Sequence, residues 1–167
     1  MNETGDFECL RCASCCRSIL ESRSGIGRGL PLTEKEASLF PENTISPKLA
    51  IGPRRPDRVI LHQLNMNVCP HVNSQNECSV YEERPLMCKS FPIVAGAISN
   101  RCRVFSYRRV GATYDEPYSM KSQLDASEKL EKYIQKQISK HSMGKSTLWE
   151  YDLATGKWSS IGEVDTK

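Results

Sequence analysis

Cysteine is the residue type in this sequence that could do the most chemistry. Four of the eight cysteines lie within eight residues near the N-terminus, and thiols at this density are typical of chains that bind a metal ion or cluster. The other four are spread over the middle of the chain, so the fold has to bring some of them back to the first group. The eight candidate ligands are Cys9, Cys12, Cys15, Cys16, Cys69, Cys78, Cys88 and Cys102.

The alternative use of eight cysteines is a set of disulfide bonds, which is typical of secreted chains. The N-terminal residues are polar and acidic, without the basic start and apolar stretch of an export signal. Cys15 and Cys16 are adjacent, and a bridge between neighbouring residues would be strained. The sequence therefore favours a metal site in a cytoplasmic protein over a disulfide framework.

The spacing of the first three cysteines favours an iron–sulfur cluster. Cys9, Cys12 and Cys15 form two overlapping C-x2-C pairs, which is similar to the first three ligands of a bacterial [4Fe–4S] site. The fourth ligand of such a site comes from elsewhere and is often followed by proline, which fits Cys88 with Pro92 after it. A zinc ribbon normally uses two separate short pairs, and only one such run is present here. Zinc is the alternative cofactor.

The adjacent pair Cys15 and Cys16 leaves open how the thiols divide between sites. Successive Cβ atoms of an extended backbone point to opposite sides, so two neighbouring cysteines are not expected to share one mononuclear ion. One would serve the cluster, and the other a second site or no metal. Eight thiols fit two four-ligand sites, one cluster with a structural zinc ion, or one cluster with spare cysteines buried as small apolar side chains.

Two basic residues near Cys88 are predicted to help bind the cofactor without being metal ligands themselves. Four thiolates around a zinc ion carry about two net negative charges, and Arg84 and Lys89 could offset them through hydrogen bonds to sulfur. The sequence contains no recognisable set of nucleophile, base and acid, and its three histidines are scattered. No catalytic residue is assigned, and whether the protein is an enzyme stays open.

Two ordered cysteine motifs carry a resemblance to a known family. The first runs from Phe7 to Cys16, and the second consists of Cys69-Pro70 followed by the segment from Cys78 to Pro92. Together they closely resemble the CxxCxxCC cysteine-cluster family of zinc- or iron-chelating domains. A similar domain occurs inside the flagellin lysine N-methylases, which are far longer than this chain. The resemblance implies a metal centre in a module for protein modification. The predicted function is therefore a metal-binding protein with a redox or accessory role in protein modification. The alternative is a zinc-stabilised protein- or RNA-interaction module without catalytic activity.

Charge and hydropathy narrow the class of partner. The formal net charge is +3 and the pI is about 8.4, below the pI above ~9 that is typical of a nucleic-acid-binding domain. The scattered arginines could bind RNA or an acidic protein, although solvated surface charge is their default role. No apolar run approaches the ~20 residues that cross a bilayer. We expect a cytoplasmic protein that binds an unidentified protein partner and does not bind a membrane. Nucleic acid is a weakly supported alternative partner.

The helices and strands predicted from the sequence indicate an α+β fold, and these elements must position the thiols. It consists of a small irregular cysteine core stabilised by metal, short strands, a long C-terminal helix and a terminal β-hairpin. Loops are predicted over residues 24–29 and 47–56, which are rich in glycine and proline. The predicted regular elements are a short helix capped by Thr33 and Glu36, strands over 58–64 and 93–98, a helix over 118–141 and a hairpin over 147–161 with Gly156 in its turn.

The predicted division of the chain follows the distribution of cysteine. Residues 1–115 hold every cysteine and form the predicted metal-binding domain. Residues 116–167 form the helix and hairpin, which are expected to pack on the same domain.

Overall fold

A computed structural model describes residues 5–105 and 118–165 of the chain. The chain divides into two compact units, of which the first is Met1–Arg17 with Val68–Leu130 and the second is Ser18–Asn67 with Glu131–Lys167. All eight cysteines belong to the first unit. The boundary predicted between residues 115 and 116 lies outside the described residues.

The described elements alternate short strands with helices of very different length. The predicted α+β class, with its long C-terminal helix and terminal hairpin, is confirmed. In chain order the elements are β1 (Gly5–Asp6), β2 (Glu21–Arg23), β3 (Ile26–Arg28), β4 (Leu30–Leu32), α1 (Glu34–Ala37), a 3₁₀ turn (Glu42–Thr44), β5 (Ile45–Gly52), β6 (Arg58–Leu64), α2 (Leu86–Ser90), β7 (Ile93–Val94), β8 (Ala97–Ile98), β9 (Tyr118–Ser119), α3 (Lys121–His141), β10 (Lys145–Asp152) and β11 (Lys157–Asp165).

The second unit is built on a five-stranded sheet in the order β11-β10-β5-β6-β4. All its strand pairs are antiparallel. Ile51 of β5 and Ile60 of β6 are buried together with Ile138 of α3, and Leu148 of β10 packs against them. No cysteine lies in this unit.

Two local signals in the sequence fold as predicted. The Thr33 side chain accepts a hydrogen bond from the Glu36 amide at 3.3 Å, and the Glu36 carboxylate accepts one from the Thr33 amide at 2.8 Å, which forms the capping box of α1. Gly156, with a φ of 67°, turns the chain between β10 and β11. The strand predicted over residues 58–64 is β6.

The loop prediction for residues 47–56 is wrong, because β5 occupies most of this segment. Pro47 has no amide proton to donate, and it lies where the register of β5 against β6 shifts. Its carbonyl accepts a hydrogen bond from Nε2 of the buried Gln63 at 2.8 Å. A tertiary contact thus stabilises a strand where the local sequence indicates a break. The glycine-rich segment at residues 24–29 likewise forms the turn and second strand of the β2-β3 hairpin.

Apart from the start of α3, the described residues of the first unit form only short elements. β1 pairs in parallel with β9, and β7 and β8 form a small hairpin in place of the single strand predicted over 93–98. Helix α2 is little more than one turn. The apolar core is small and includes one thiol; its buried members are Ile93, Cys102, Phe105 and Met120. Irregular backbone therefore has to position most of the cysteines.

No helix within residues 5–105 and 118–165 combines the length and apolar character needed to span a membrane.

Candidate metal centre

The N-terminal cysteines lie in an irregular loop whose backbone turns sharply. Arg11 and Ala13 both have positive φ values, of 51° and 56°, a conformation that costs a non-glycine residue roughly 1 kcal/mol or more. The Arg11 amide donates a hydrogen bond to Cys9 Sγ at 3.3 Å. An amide that points at a sulfur stabilises the thiolate that a metal needs.

A turn over Ser14–Cys16 brings the two adjacent cysteines together. The amides of Cys16 and Arg17 both donate to the Ala13 carbonyl at 3.0 Å, and the Cys15 and Cys16 Sγ atoms lie 3.9 Å apart. The expectation that these side chains point to opposite sides is wrong, because it assumes an extended backbone. The hydrogen bond from Cys16 lowers the pKa of Cys15 to about 7, and donating this hydrogen bond, together with burial, raises the pKa of Cys16.

A second loop returns to this turn from mid-chain. The Cys69 amide donates to the Cys16 carbonyl at 2.7 Å, although the two residues are 53 positions apart. The Arg17 guanidinium donates to the Asn73 carbonyl at 2.8 Å and to the Asn76 side chain at 3.2 Å. The backbone of the second loop is therefore fixed against the first.

Cys78 and Cys88 lie at the two ends of one segment, and both act on the thiols of the two loops described above. Cys78 forms an isolated antiparallel bridge with Val72, whose amide donates to the Cys69 carbonyl at 3.3 Å. Cys88 lies in α2, which begins after the buried Pro85. Desolvation raises the pKa of Cys88 far above its ordinary value, the charges of Cys15, Cys69 and Cys78 raise it further, and Arg84 opposes the shift.

These interactions group five of the eight thiols. The charge of Cys15 raises the pKa values of Cys69 and Cys88. The charges of Cys69 and Cys88 in turn raise the pKa of Cys16. Burial is the largest cause of the raised pKa of Cys69, and the Cys78 charge adds to it. We call this set the five-thiol group; its members are Cys15, Cys16, Cys69, Cys78 and Cys88.

The remaining three thiols are Cys9, Cys12 and Cys102, and their charges act on one another through Cys102. Cys102 belongs to that core, where burial and the charges of Cys9 and Cys12 raise its pKa. Phe105 stacks on Phe7 with ring centroids 5.6 Å apart, which holds the start of the N-terminal loop near Cys102. Burial raises the pKa of Cys12, but hydrogen bonds with Ser14 and the charge of Arg103 outweigh it, so the pKa is lowered overall. The charge of Cys15 also raises the pKa of Cys12, which connects Cys12 to the five-thiol group.

Arginines supply positive charge around both sets of thiols. The Arg84 guanidinium lies 3.9 Å from the Tyr81 ring centroid and donates to the Tyr81 carbonyl at 2.8 Å. The Arg11 guanidinium lies 4.7 Å from the same centroid. Arg101 lowers the pKa of Cys15 and Arg103 that of Cys12. Sequence reasoning treats these last two arginines only as surface charge, because the signal that places them is tertiary.

The assignment of Arg84 and Lys89 to cofactor binding stays a prediction. Arg84 acts on Cys88 through its charge. Lys89 follows Cys88 in α2 and is half-buried.

The donor chemistry of the five-thiol group fits zinc or iron, although the thiols do not form a finished ligand shell. Thiolate sulfur is the ligand that zinc and iron–sulfur centres prefer, and neighbouring arginines can offset its charge. Among residues 5–105 and 118–165, no three histidine, cysteine, aspartate or glutamate side chains are arranged to hold a metal ion as they stand.

Residues 8–133 match the model of one protein family, CxxCxxCC, described as "Putative zinc- or iron-chelating domain". The chain belongs to the CxxCxxCC family. The matched region contains all eight cysteines and runs into α3, so the family's boundary extends well past the last thiol. Membership supports binding of zinc or iron and leaves the choice between them open. Comparison with curated proteins and with solved structures gave no match.

Proposed function

We propose that this protein chelates iron or zinc through its clustered cysteines and acts as a redox or accessory module for a protein partner. The observation that carries the proposal is the convergence of thiols from separate parts of the chain. The bond between the Cys69 amide and the Cys16 carbonyl joins two of these parts, and the mutual charges of the five-thiol group extend the convergence to Cys88.

Electrostatics explain why such a group needs a cation. Several half-buried thiols that raise one another's pKa can ionise together only if positive charge compensates them. A bound divalent ion supplies that charge, releases the thiol protons and contributes to folding, by roughly 10 kcal/mol in structural zinc sites. The thiols of this protein thus have the chemistry of metal ligands more than that of inert core side chains.

An iron–sulfur cluster is the form of the centre that the C-x2-C-x2-C run supports. Such a cluster would let the protein exchange single electrons with a partner. An accessory role in protein modification is proposed from the resemblance to the domain found in the flagellin lysine N-methylases. In this form the arginines beside the thiols would tune the reduction potential of the cluster.

A zinc-stabilised interaction module without catalysis is the second candidate. The spacing of 3.9 Å between the Cys15 and Cys16 sulfurs supports it, because that spacing suits a single ion. Arg11 and Arg84, which flank Tyr81, would then contribute to a basic surface for a protein or RNA.

Anaerobic purification followed by elemental analysis tests the proposal. We expect iron or zinc in stoichiometric amount per chain. Iron with acid-labile sulfide and a visible absorption that dithionite bleaches supports the cluster, whereas colourless protein with zinc supports the interaction module. Protein that folds and contains neither metal, even after exposure to both under reducing conditions, contradicts the proposal.

A further inference from the structure

The adjacent thiols of the N-terminal loop already have the spacing of two ligands on one ion. Their sulfurs are 3.9 Å apart. Four sulfurs at ~2.3 Å from a tetrahedral ion stand about 3.8 Å from one another. Cys15 and Cys16 thus match one edge of a mononuclear thiolate site, in a turn fixed by two hydrogen bonds to the Ala13 carbonyl.

A four-iron cluster makes a different demand on its ligands. Each cysteine binds a different iron at its own corner of the cluster, so the ligand sulfurs diverge and stand farther apart than sulfurs on a single ion. The turn over Ser14–Cys16 would have to open before Cys15 and Cys16 could reach two corners.

On the basis of the proposed metal binding, we infer that Cys15 and Cys16 together bind one mononuclear ion, either zinc or a single iron. The remaining ligands come from Cys69, Cys78 and Cys88. The Cys69 backbone is held against Cys16 by a hydrogen bond of 2.7 Å. The charges of Cys69 and Cys88 are among the largest that act on the Cys16 thiol.

The same inference places Cys9 and Cys102 outside this centre. Cys9 is exposed, and its sulfur accepts a hydrogen bond from the Arg11 amide. Cys102 is buried among Ile93, Phe105 and Met120, where it serves as a small apolar side chain. The first thiol of the CxxCxxCC motif therefore differs in role from its last two.

Serine substitutions within the one motif test this division. We expect Cys15→Ser and Cys16→Ser each to lower the metal content per chain about tenfold or more, because each removes a ligand. Cys9→Ser is the matched control and should leave the metal content unchanged, because Cys9 is exposed and lies outside the five-thiol group. Equal loss in Cys9→Ser, or full retention in Cys16→Ser, overturns the inference.

X-ray absorption spectroscopy of the wild-type chain decides the question even if a variant fails to fold. We expect about four sulfurs at ~2.3 Å from the metal, no metal–metal distance and no acid-labile sulfide. Iron with sulfide and iron–iron scattering overturns this inference and leaves the proposed metal binding intact. A folded wild-type chain that binds no metal overturns both.

Discussion

Cys15 and Cys16 differ in how readily they lose a proton, although they are neighbours. The Cys15 and Cys16 sulfurs share a hydrogen bond. It lowers the pKa of Cys15 and raises that of Cys16, which favours Cys15 as the thiolate and Cys16 as the protonated donor. In the metal-free chain this difference should be visible as a difference in thiol reactivity.

We predict that Cys15 is the most easily ionised member of the pair in the reduced, metal-free protein. Its alkylation rate should rise with pH around a midpoint of about 7, because the thiolate is the reacting form. Cys16→Ala removes the donor and should shift that midpoint upward. Iodoacetamide labelling followed by peptide mass spectrometry measures both rates, and a midpoint that Cys16→Ala leaves unmoved would contradict the assignment.

Tyr81 connects the N-terminal loop to the segment that carries Cys88, because Arg11 and Arg84 both lie against its ring. We predict that Tyr81→Leu lowers stability by about 1 kcal/mol, since it removes both cation–π contacts. Tyr81→Phe keeps the ring and is the matched control. Urea unfolding of the metal-loaded protein measures the difference. Equal stability of the Leu and Phe variants would show that the ring contacts contribute nothing.

At the scale of elements, the sequence correctly predicted those that nearby residues determine. It missed the elements that depend on tertiary contacts. Local sequence patterns determine the Thr33 capping box, the long helix and the Gly156 hairpin. β5 is not, because the burial of Gln63 and its bond to Pro47 depend on β6. The pairing of β1 with β9 joins residues more than a hundred positions apart, so no local sequence pattern predicts it.

The candidate site follows the same division. Residue type and spacing identify all eight cysteines and Arg84 as candidates. The grouping of the thiols depends on the turn over Ser14–Cys16 and on the bond between Cys16 and Cys69, which a list of spacings does not contain. For this reason the sequence left the partition of ligands open and placed the Cys15 and Cys16 side chains on opposite sides.

Gly29 shows how tightly the sheet of the second unit is packed. Its amide donates to the buried Gln63 side chain at 2.9 Å, and a Cβ at this position would collide with the Leu64 carbonyl oxygen. We predict that Gly29→Ala destabilises the protein by about 3 kcal/mol, because backbone has to move. Gly162→Ala is the matched control, since a Cβ there meets nothing within 4 Å. Denaturant melts compare them, and similar midpoints would contradict the packing described.

At the scale of the whole molecule, the two units differ in what stabilises them. The second unit has a five-stranded sheet with its own apolar core around Ile51 and Ile60. Among its described residues, the first has short elements besides the start of α3, an apolar cluster of four buried residues, and all of the thiols. Metal binding should therefore matter to the first unit much more than to the second.

We predict that removing the metal loosens the first unit while the sheet of the second stays folded. A metal–thiolate site contributes roughly 10 kcal/mol to the folding of small domains, and the short elements around Ile93 and Phe105 have little else to replace it. Hydrogen exchange with and without a strong chelator, under reducing conditions, measures the effect segment by segment. Amides of α2 and of the loop after Cys69 should lose protection by a large factor, and those of β5, β6 and β10 should change little. Uniform loss across both units would mean that the metal stabilises the chain as a single cooperative body, and no loss anywhere would mean that the thiols hold no structural metal.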